Sequence, residues 1–179
     1  SRLKREAELN AQKLQEELDS LERSKADELE KALEEGHSII RIVADFEVDR
    51  TFYITKDTTI FSTFPYTLTR ANDFGGDFFV VGETKDGLST ILINGPITLT
   101  LGNPLSKTEG LLTFDGNKDN MTVDEYGTIL FICHSANVNV YNGITVQNCF
   151  KSENERTYEE QYGLTRPNRV GGSFAIVLN

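Results

Sequence analysis

The densest run of cation-capable oxygens in the chain is Asp115-Gly-Asn117-Lys-Asp119-Asn120-Met-Thr-Val-Asp124-Glu125. Its D-x-N-x-D start sets Asp115, Asn117 and Asp119 on alternate positions of a tight loop, where side-chain oxygens can converge on one hard cation. Two positions depart from that pattern. Asn120 stands where such a loop turns on glycine, and Tyr126 where it closes with a bidentate glutamate. The favoured reading is a polar turn, with Ca2+ held by Asp115, Asn117 and Asp119 as the alternative and no other cofactor expected. Asp73 and Asp77, which flank Phe74-Gly75-Gly76, read the same way.

The remaining reactive side chains are sparse. His37 and His134 are far apart and, apart from the adjacent Cys133, have no cysteine or histidine at metal-ligand spacing, which argues against zinc. Cys133 and Cys149 lie 16 positions apart and are expected on strands of one repeat. Buried free thiols are the default for such a pair, and a disulfide is the alternative in an exported protein. One long insertion, Lys151 to Val170, mixes Arg156, Tyr158, Tyr162, Arg166 and Arg169. Loops carry function more often than the scaffold beneath them, and aromatic rings beside Arg suit contact with a glycan or a protein. A solvated excursion is the plainer reading of the same residues.

The elements that must position these groups come in two kinds. The chain has 179 residues, 38% of them hydrophobic, and a formal net charge of −10. That balance excludes a nucleic-acid binder, which needs Lys and Arg for phosphates, and disfavours adsorption to anionic membranes. No apolar run reaches the ~18 residues of a membrane helix, and no signal peptide is evident. Residues 1–35 contain no Gly, Pro, aromatic or β-branched residue and carry seven basic and eleven acidic side chains. They predict an amphipathic helix stopped by Gly36. Leu3, Ala7, Leu14, Leu18, Leu21, Leu29 and Ala32 fall on one stripe, interrupted by Asn10 and Lys25. Two readings stay open: a short coiled coil that self-associates through Leu14, Leu18 and Leu21, with Asn10 and Lys25 tuning specificity, or a helix lying on its own domain or in solvent. Its last turns, Ala26 to Leu33, abut the first strand and could cover its open end.

After Gly36 the pattern changes to short β-branched and aromatic runs bounded by Gly, Asn, Asp or Pro. Expected strands are Ile39–Val43, Thr51–Thr55, Thr58–Ser62, Tyr66–Thr69, Phe78–Val81, Thr90–Ile93, Ile97–Leu101, Leu111–Phe114, Ile129–Cys133, Val138–Tyr141, Ile144–Gln147 and Phe174–Leu178. No helical pattern separates them, so a βαβ fold is excluded. Gly76-Asp-Phe-Phe-Val-Val81 matches Gly127-Thr-Ile-Leu-Phe-Ile132 and Gly172-Ser-Phe-Ala-Ile-Val177. Such internal similarity favours a solenoid with loop insertions over an antiparallel sandwich. In the repeat order, Thr90–Ile93 then Ile97–Leu101 correspond to Val138–Tyr141 then Ile144–Gln147. Asn94, Asn142 and Asn148, with Asp115-Gly116-Asn117, follow strands directly and are expected at sharp bends that stack from repeat to repeat.

As an ordered series, these motifs carry a resemblance. Tyr66-Thr-Leu-Thr-Arg70, Phe74-Gly-Gly-Asp-Phe-Phe-Val-Val81, Leu112-Thr-Phe-Asp-Gly-Asn117, Gly127–Ile132, Val138-Asn-Val-Tyr-Asn-Gly-Ile-Thr-Val-Gln-Asn148 and Gly171-Gly-Ser-Phe174 resemble the pectate-lyase-like right-handed parallel β-helix domains of Gram-positive surface adhesins. The resemblance covers residues 39–179; the helix at 1–35 matches nothing comparable. It implies a mainly β fold, a right-handed parallel β-helix at 37–179 preceded by the long helix at 1–35. It further implies a non-catalytic adhesin or stalk module at the bacterial cell surface or wall, displayed toward a host or bacterial surface protein or glycan. Ending within the expected strand Phe174–Leu178, the chain reads as cut from a longer stack. Enzymes of the same superfamily use clustered Asp with calcium and a basic Arg or Lys, so a polysaccharide lyase or hydrolase, or a trimeric phage tailspike, is the alternative. In that case Arg70 would be a candidate base, although nothing nearby in sequence would lower its pKa.

Overall fold

The computed structural model describes residues 2–103, 105–106, 111–123, 127–133, 136–149 and 175–177. It is mainly β, built from three four-stranded parallel sheets. One helix, α1 (Arg2–Glu34), precedes twelve strands: β1 (Ile39–Arg41), β2 (Phe46–Val48), β3 (Phe52–Ile54), β4 (Thr58–Phe61), β5 (Tyr66–Arg70), β6 (Phe79–Val81), β7 (Thr98–Leu101), β8 (Leu112–Asp115), β9 (Leu130–Ile132), β10 (Asn137–Val140), β11 (Ile144–Gln147) and β12 (Ala175–Val177). Sheet A stacks β1-β4-β7-β10, sheet B stacks β2-β5-β8-β11, and sheet C stacks β3-β6-β9-β12. The chain therefore visits A, B and C in turn, four times over, and each strand pairs in parallel with the one three places later.

That register sets like residues over like. Ile40 lies beside Ile60, Phe46 beside Leu68 beside Phe114, and Ile54 beside Val81 beside Ile132, all buried in one core. The Phe79 ring fills the centre, 5.8 Å from Phe52 and 5.6 Å edge-on to Phe114. In sheets A and B burial alternates along most strands, whereas β6 and β9 are buried at every position. Their outward side chains Val80 and Phe131 join Cys133 and Tyr53 in a second apolar cluster. A parallel sheet covered on both faces reads as a continuous apolar run, and these were the most legible strands in the sequence.

The matched Gly-x-apolar motifs lead into β6, β9 and β12, successive strands of sheet C. Phe79 pairs with Leu130 and Leu130 with Ala175, spacings of 51 and 45 residues that hold one circuit plus loop insertions. Three sequence expectations are corrected. Thr90–Ile93 is not a strand: Thr90–Leu92 is a single 3-10 turn, because the Thr90 amide and hydroxyl both donate to the Gly82 carbonyl and curl the segment away from the sheets. The repeat order shifts in consequence, with β7 pairing with β10, and β11 with β8. Finally, β2 was missed. Phe46-Glu-Val48 is only three residues long and sits among Asp and Arg, too short for a period to register.

One side-chain device recurs in all three sheets. An aspartate just ahead of a strand accepts the backbone N–H of the threonine in register on the next circuit. Asp45 takes Thr67 N at 2.7 Å in sheet B, Asp57 takes Thr98 N at 2.8 Å in sheet A, and Asp77 takes Thr128 N at 2.7 Å in sheet C. Asp77 also accepts the Thr128 hydroxyl at 3.0 Å. Each pair gives a donor at a strand entry a charged acceptor and fixes register, since a slip by one residue would separate every Asp from its Thr.

Helix α1 ends in a Schellman motif. Gly36 has φ +75°, its amide donates to the Leu33 carbonyl, and the His37 amide donates to Ala32. The preceding turns pack on β2 and β3, burying Ala26 and Leu29 in the main core with Ala32 and Leu33 at its margin. Arg50 fastens this contact from the body side, bonding Asp27 and Glu30 of the helix at 2.7 Å each and Asp49 at 2.8 Å. Hydrogen bonds to Asp49 and Glu30, outweighing desolvation, hold its guanidinium protonated even beyond the ordinary arginine range. Further up the helix Leu14 is 69% exposed. Lys25 pairs with Glu28 at 3.0 Å along the helix.

Candidate functional site

The turn after sheet B gathers the chemistry that the sequence singled out. Asp115 ends β8, and its two carboxylate oxygens are fully engaged. Oδ1 accepts the Asn117 amide at 2.8 Å, closing an Asx turn, while Oδ2 accepts Gln147 Nε2 at 2.7 Å and Asn148 Nδ2 at 2.9 Å from the neighbouring strand β11. Asn117 Nδ2 reaches the other way, donating to the Arg70 carbonyl and to Asn72 Oδ1 at 2.8 Å each, and its Oδ1 accepts Asn120 Nδ2 at 2.7 Å. Asn72, Asn117 and Asn148 thus stack along three circuits at one bend. Asn117 and Asn148 are the only non-glycine residues with positive φ among those described, +55° and +53°.

The bend therefore uses asparagine as the sequence suggested, for its tolerance of the left-handed region and its two-sided amide. Asn94 and Asn142 belong elsewhere. Asn94 reaches the Thr55 carbonyl at 3.2 Å, and Asn142 occupies the turn between β10 and β11. Of the three oxygen donors considered for calcium, the structure joins Asp115 and Asn117 in one network and leaves Asp119 exposed beside it. Three N–H donors already satisfy the Asp115 carboxylate, and no group of three or more His, Cys, Asp or Glu converges as a metal set among the described residues. Asn117→Ala is expected to cost about 1–2 kcal/mol, from the left-handed backbone and the lost bridge to Arg70 and Asn72. Asn117→Gly should recover the backbone share alone. Urea titration of the two variants separates the terms.

Beneath the bend lies a residue whose role sequence reasoning underestimated. Arg70 ends β5 with its side chain pointing inward, 1% exposed. Nη1 donates to the carbonyls of Phe74, at 3.2 Å, and Gly76; Nη2 donates to Gly127 at 2.9 Å and Thr128 at 3.2 Å. The guanidinium carbon lies 4.7 Å from the Phe78 ring centre and 5.4 Å from that of Phe74. One guanidinium therefore ties the segments entering β6 and β9, on adjacent circuits. Buried, with both Nη groups donating to backbone carbonyls, Arg70 acts as a structural cation in this fold. The only sequence signal was an Arg closing an alternating run, where a polar outward position was the natural assumption.

Glycines 76 and 127 explain why the motif begins with glycine. A Cβ on Gly127 would meet the Asp77 amide nitrogen and the Gly76 carbonyl carbon at 2.7 Å, and one on Gly76 would meet the Phe74 ring and Thr51 Oγ1. Successive circuits approach too closely here for any side chain. Gly172, the third copy, lies outside the described residues, as do Arg156, Tyr158, Tyr162, Arg166 and Arg169 of the insertion, and His134. The side chains of Leu18 and Leu21 are likewise not described.

The two cysteines are separate free thiols. Cys133 follows β9 in sheet C, buried, with Sγ 3.6 Å from Glu83 Oε2; Cys149 follows β11 beside the sheet B bend, with Sγ 3.3 Å from the Gln147 carbonyl. They follow strands of different sheets, C and B, within one passage of the chain through the three sheets. Burial pushes the Cys149 thiol up, only partly opposed by the Arg70 charge and a backbone hydrogen bond from Gly116. Because the folded state favours the protonated thiol, its contribution to stability is complete below the unfolded titration range and is lost as pH rises through the folded one. Alkylation of the native protein by iodoacetamide at pH 8 is expected to run well over tenfold slower than in denaturant for both thiols, by mass spectrometry of quenched samples.

No helix among the described residues is long and apolar enough to cross a membrane. Comparison of the chain with protein-family models, with curated proteins and with solved structures finds no match.

Proposed function

We propose that the chain is a right-handed parallel β-helix serving as a non-catalytic module of an extracellular bacterial surface protein, an adhesin or stalk that displays binding loops toward a host or bacterial protein or glycan. The observation that carries this reading is the use made of its carboxylates. Asp45, Asp57, Asp77 and Asp115 each spend oxygens on the amide of a strand entry or bend, so these carboxylates, two of them sequence candidates, stiffen the stack. A pairwise-satisfied column of this kind suits a rod that transmits position and load, and its loops are free to vary.

The test joins binding to turnover. The protein is incubated with a panel of acidic and neutral polysaccharides, followed for new reducing ends and for the ultraviolet band of unsaturated products, and in parallel titrated on glycan and matrix-protein arrays. Binding that is abolished by combined substitution of Tyr158, Tyr162 and Arg166, without turnover, is the expected result. Turnover removed by Asp77→Asn or Asp115→Asn in a still-folded protein would overturn it and favour the polysaccharide-cleaving alternative.

A further inference from the structure

Two Asn-Gly steps occur in the chain, Asn94-Gly95 and Asn142-Gly143. Such a step has a reactivity of its own. Glycine lacks the Cβ that shields the backbone nitrogen of other residues, so that nitrogen can reach the carboxamide carbon of the asparagine before it. Both asparagines are exposed, and both glycines have positive φ, +77° at Gly95 and +92° at Gly143. The fold nevertheless treats the two steps differently.

Asn94 is tied twice. Its amide donates to the Thr90 carbonyl at 2.7 Å, at the end of the 3-10 turn, and its carboxamide Nδ2 donates to the Thr55 carbonyl at 3.2 Å. Turning that carboxamide toward Gly95 breaks the second bond. Asn142 sits in the corner Tyr141-Asn142-Gly143 between β10 and β11. The supports of this corner flank the reactive pair: Tyr141 N donates to the Leu101 carbonyl at 2.9 Å, and the Gly143 carbonyl accepts Leu112 N at 3.2 Å. Among the described residues neither the Asn142 carboxamide nor the Gly143 N–H has a hydrogen-bond partner. Nearby asparagines are poorer substrates. Asn137 and Asn139 precede valine within β10, Asn103 precedes a proline that has no N–H, and the carboxamides of Asn117 and Asn148 are bonded at the sheet B bend.

We propose that Asn142 is a site of spontaneous modification, converted through a succinimide into aspartate and isoaspartate. The Gly143 nitrogen gives its proton to solvent base and attacks Asn142 Cγ. The bond from Cγ to Nδ2 breaks, and Nδ2 leaves as ammonia with a proton from water. Water then opens the five-membered ring at either carbonyl, leaving aspartate or isoaspartate at that position. Nothing is oxidised or reduced, and water is the only co-reactant. Isoaspartate routes the backbone through the side-chain carbon and adds one atom between Tyr141 and Gly143. The corner has little slack for it, since a Cβ on the stacked Gly102 would lie 3.1 Å from that of Tyr141. The Tyr141–Leu101 and Leu112–Gly143 bonds then cannot both persist, and β10 and β11 loosen from β7 and β8 together.

The test ages the full chain at pH 8, native and in guanidinium chloride. Peptide mapping by mass spectrometry follows the replacement of NH2 by OH at each asparagine, and electron-transfer fragmentation separates isoaspartate from aspartate. In denaturant the two Asn-Gly steps are expected to react within about threefold of each other, because they share the unshielded glycine. In the native protein Asn142 should convert about fivefold or more faster than Asn94, the factor that one net hydrogen bond supplies. Hydroxylamine, which cleaves succinimides, should cut the ageing protein between Asn142 and Gly143. Asn142→Gln, whose ring is larger and closes far more slowly, should remove both products with circular dichroism unchanged. Amide exchange at Tyr141 and Leu112 should be faster in the isoaspartate fraction than in fresh protein. Native Asn94 reacting as fast as Asn142 would overturn the proposal, as would an intact native Asn142 after the denatured chain has converted. Unchanged exchange at Tyr141 and Leu112 would overturn the loosening of the corner.

Discussion

Arg70→Met is expected to destabilise the protein by about 3–5 kcal/mol, the largest effect of any single side-chain replacement considered. Methionine matches the volume of the aliphatic stem but donates nothing, so the carbonyls of Phe74, Gly76, Gly127 and Thr128 lose their donor together. An orphaned buried acceptor costs about 1–3 kcal/mol, and relaxation or entry of water recovers part of the sum. The opposing term is the cost of burying a guanidinium, several kcal/mol, which methionine relieves. The carbonyls win because four of them, with two aromatic faces adding about 0.5–2 kcal/mol, converge on one planar donor. Arg70→Lys is the informative partner. An ammonium is a point donor that cannot reach both circuits at once, so it should recover less than half. Guanidinium chloride unfolding of the three proteins decides this; an Arg70→Met variant within 1 kcal/mol of wild type would mean that the bend is held without the arginine.

Gly127→Ala is expected to cost about 2–3 kcal/mol, although it adds one methyl. Its Cβ would lie 2.7 Å from backbone atoms of Asp77 and Gly76, and backbone cannot rotate aside as a side chain can. Relief requires the two circuits to separate, which strains the Asp77–Thr128 pair and the Arg70 bonds to Gly127 and Thr128 together. Gly95→Ala is the control. Gly95 has φ +77° with nothing within 4 Å of a Cβ, so only backbone strain of about 1 kcal/mol applies. Thermal unfolding should rank Gly127→Ala well below Gly95→Ala. The reverse order would show that circuit spacing at this bend is soft.

Both predictions concern residues visible in the sequence for partial reasons. The Gly76 and Gly127 motif was legible because it repeats, yet repetition shows only that something is needed there. That the need is the absence of a Cβ emerges from two circuits meeting 51 residues apart. Asn117 and Asn148 were legible because few residues other than Gly, Asn and Asp tolerate the left-handed region. By the same token Asn94 was misplaced, since asparagine after an apolar run marks a turn without saying which one. The apolar segment Thr90–Ile93 looked like a strand because β-branched composition is a statement about burial, whereas its backbone is turned by the Thr90 bonds to the Gly82 carbonyl.

What the sequence by itself determined is local and periodic: that α1 is amphipathic and stops at Gly36, that the remainder is a succession of short strands without crossover helices, and where most of those strands lie. Alternation and turn chemistry act over a few residues and survive in any context. What only the tertiary structure decided is which distant residues share a bond. The pairing of Asp45, Asp57 and Asp77 with threonines 22, 41 and 51 residues onward depends on insertion lengths that no short-range pattern encodes. The inward turn of Arg70 depends on four carbonyls brought from two circuits. Asp115 is the sharpest case. Its spacing to Asn117 and Asp119 left a polar turn as the favoured reading and a cation loop as the alternative; that Gln147 and Asn148, on the circuit stacked alongside, donate their side-chain amides to its carboxylate is visible only in the fold.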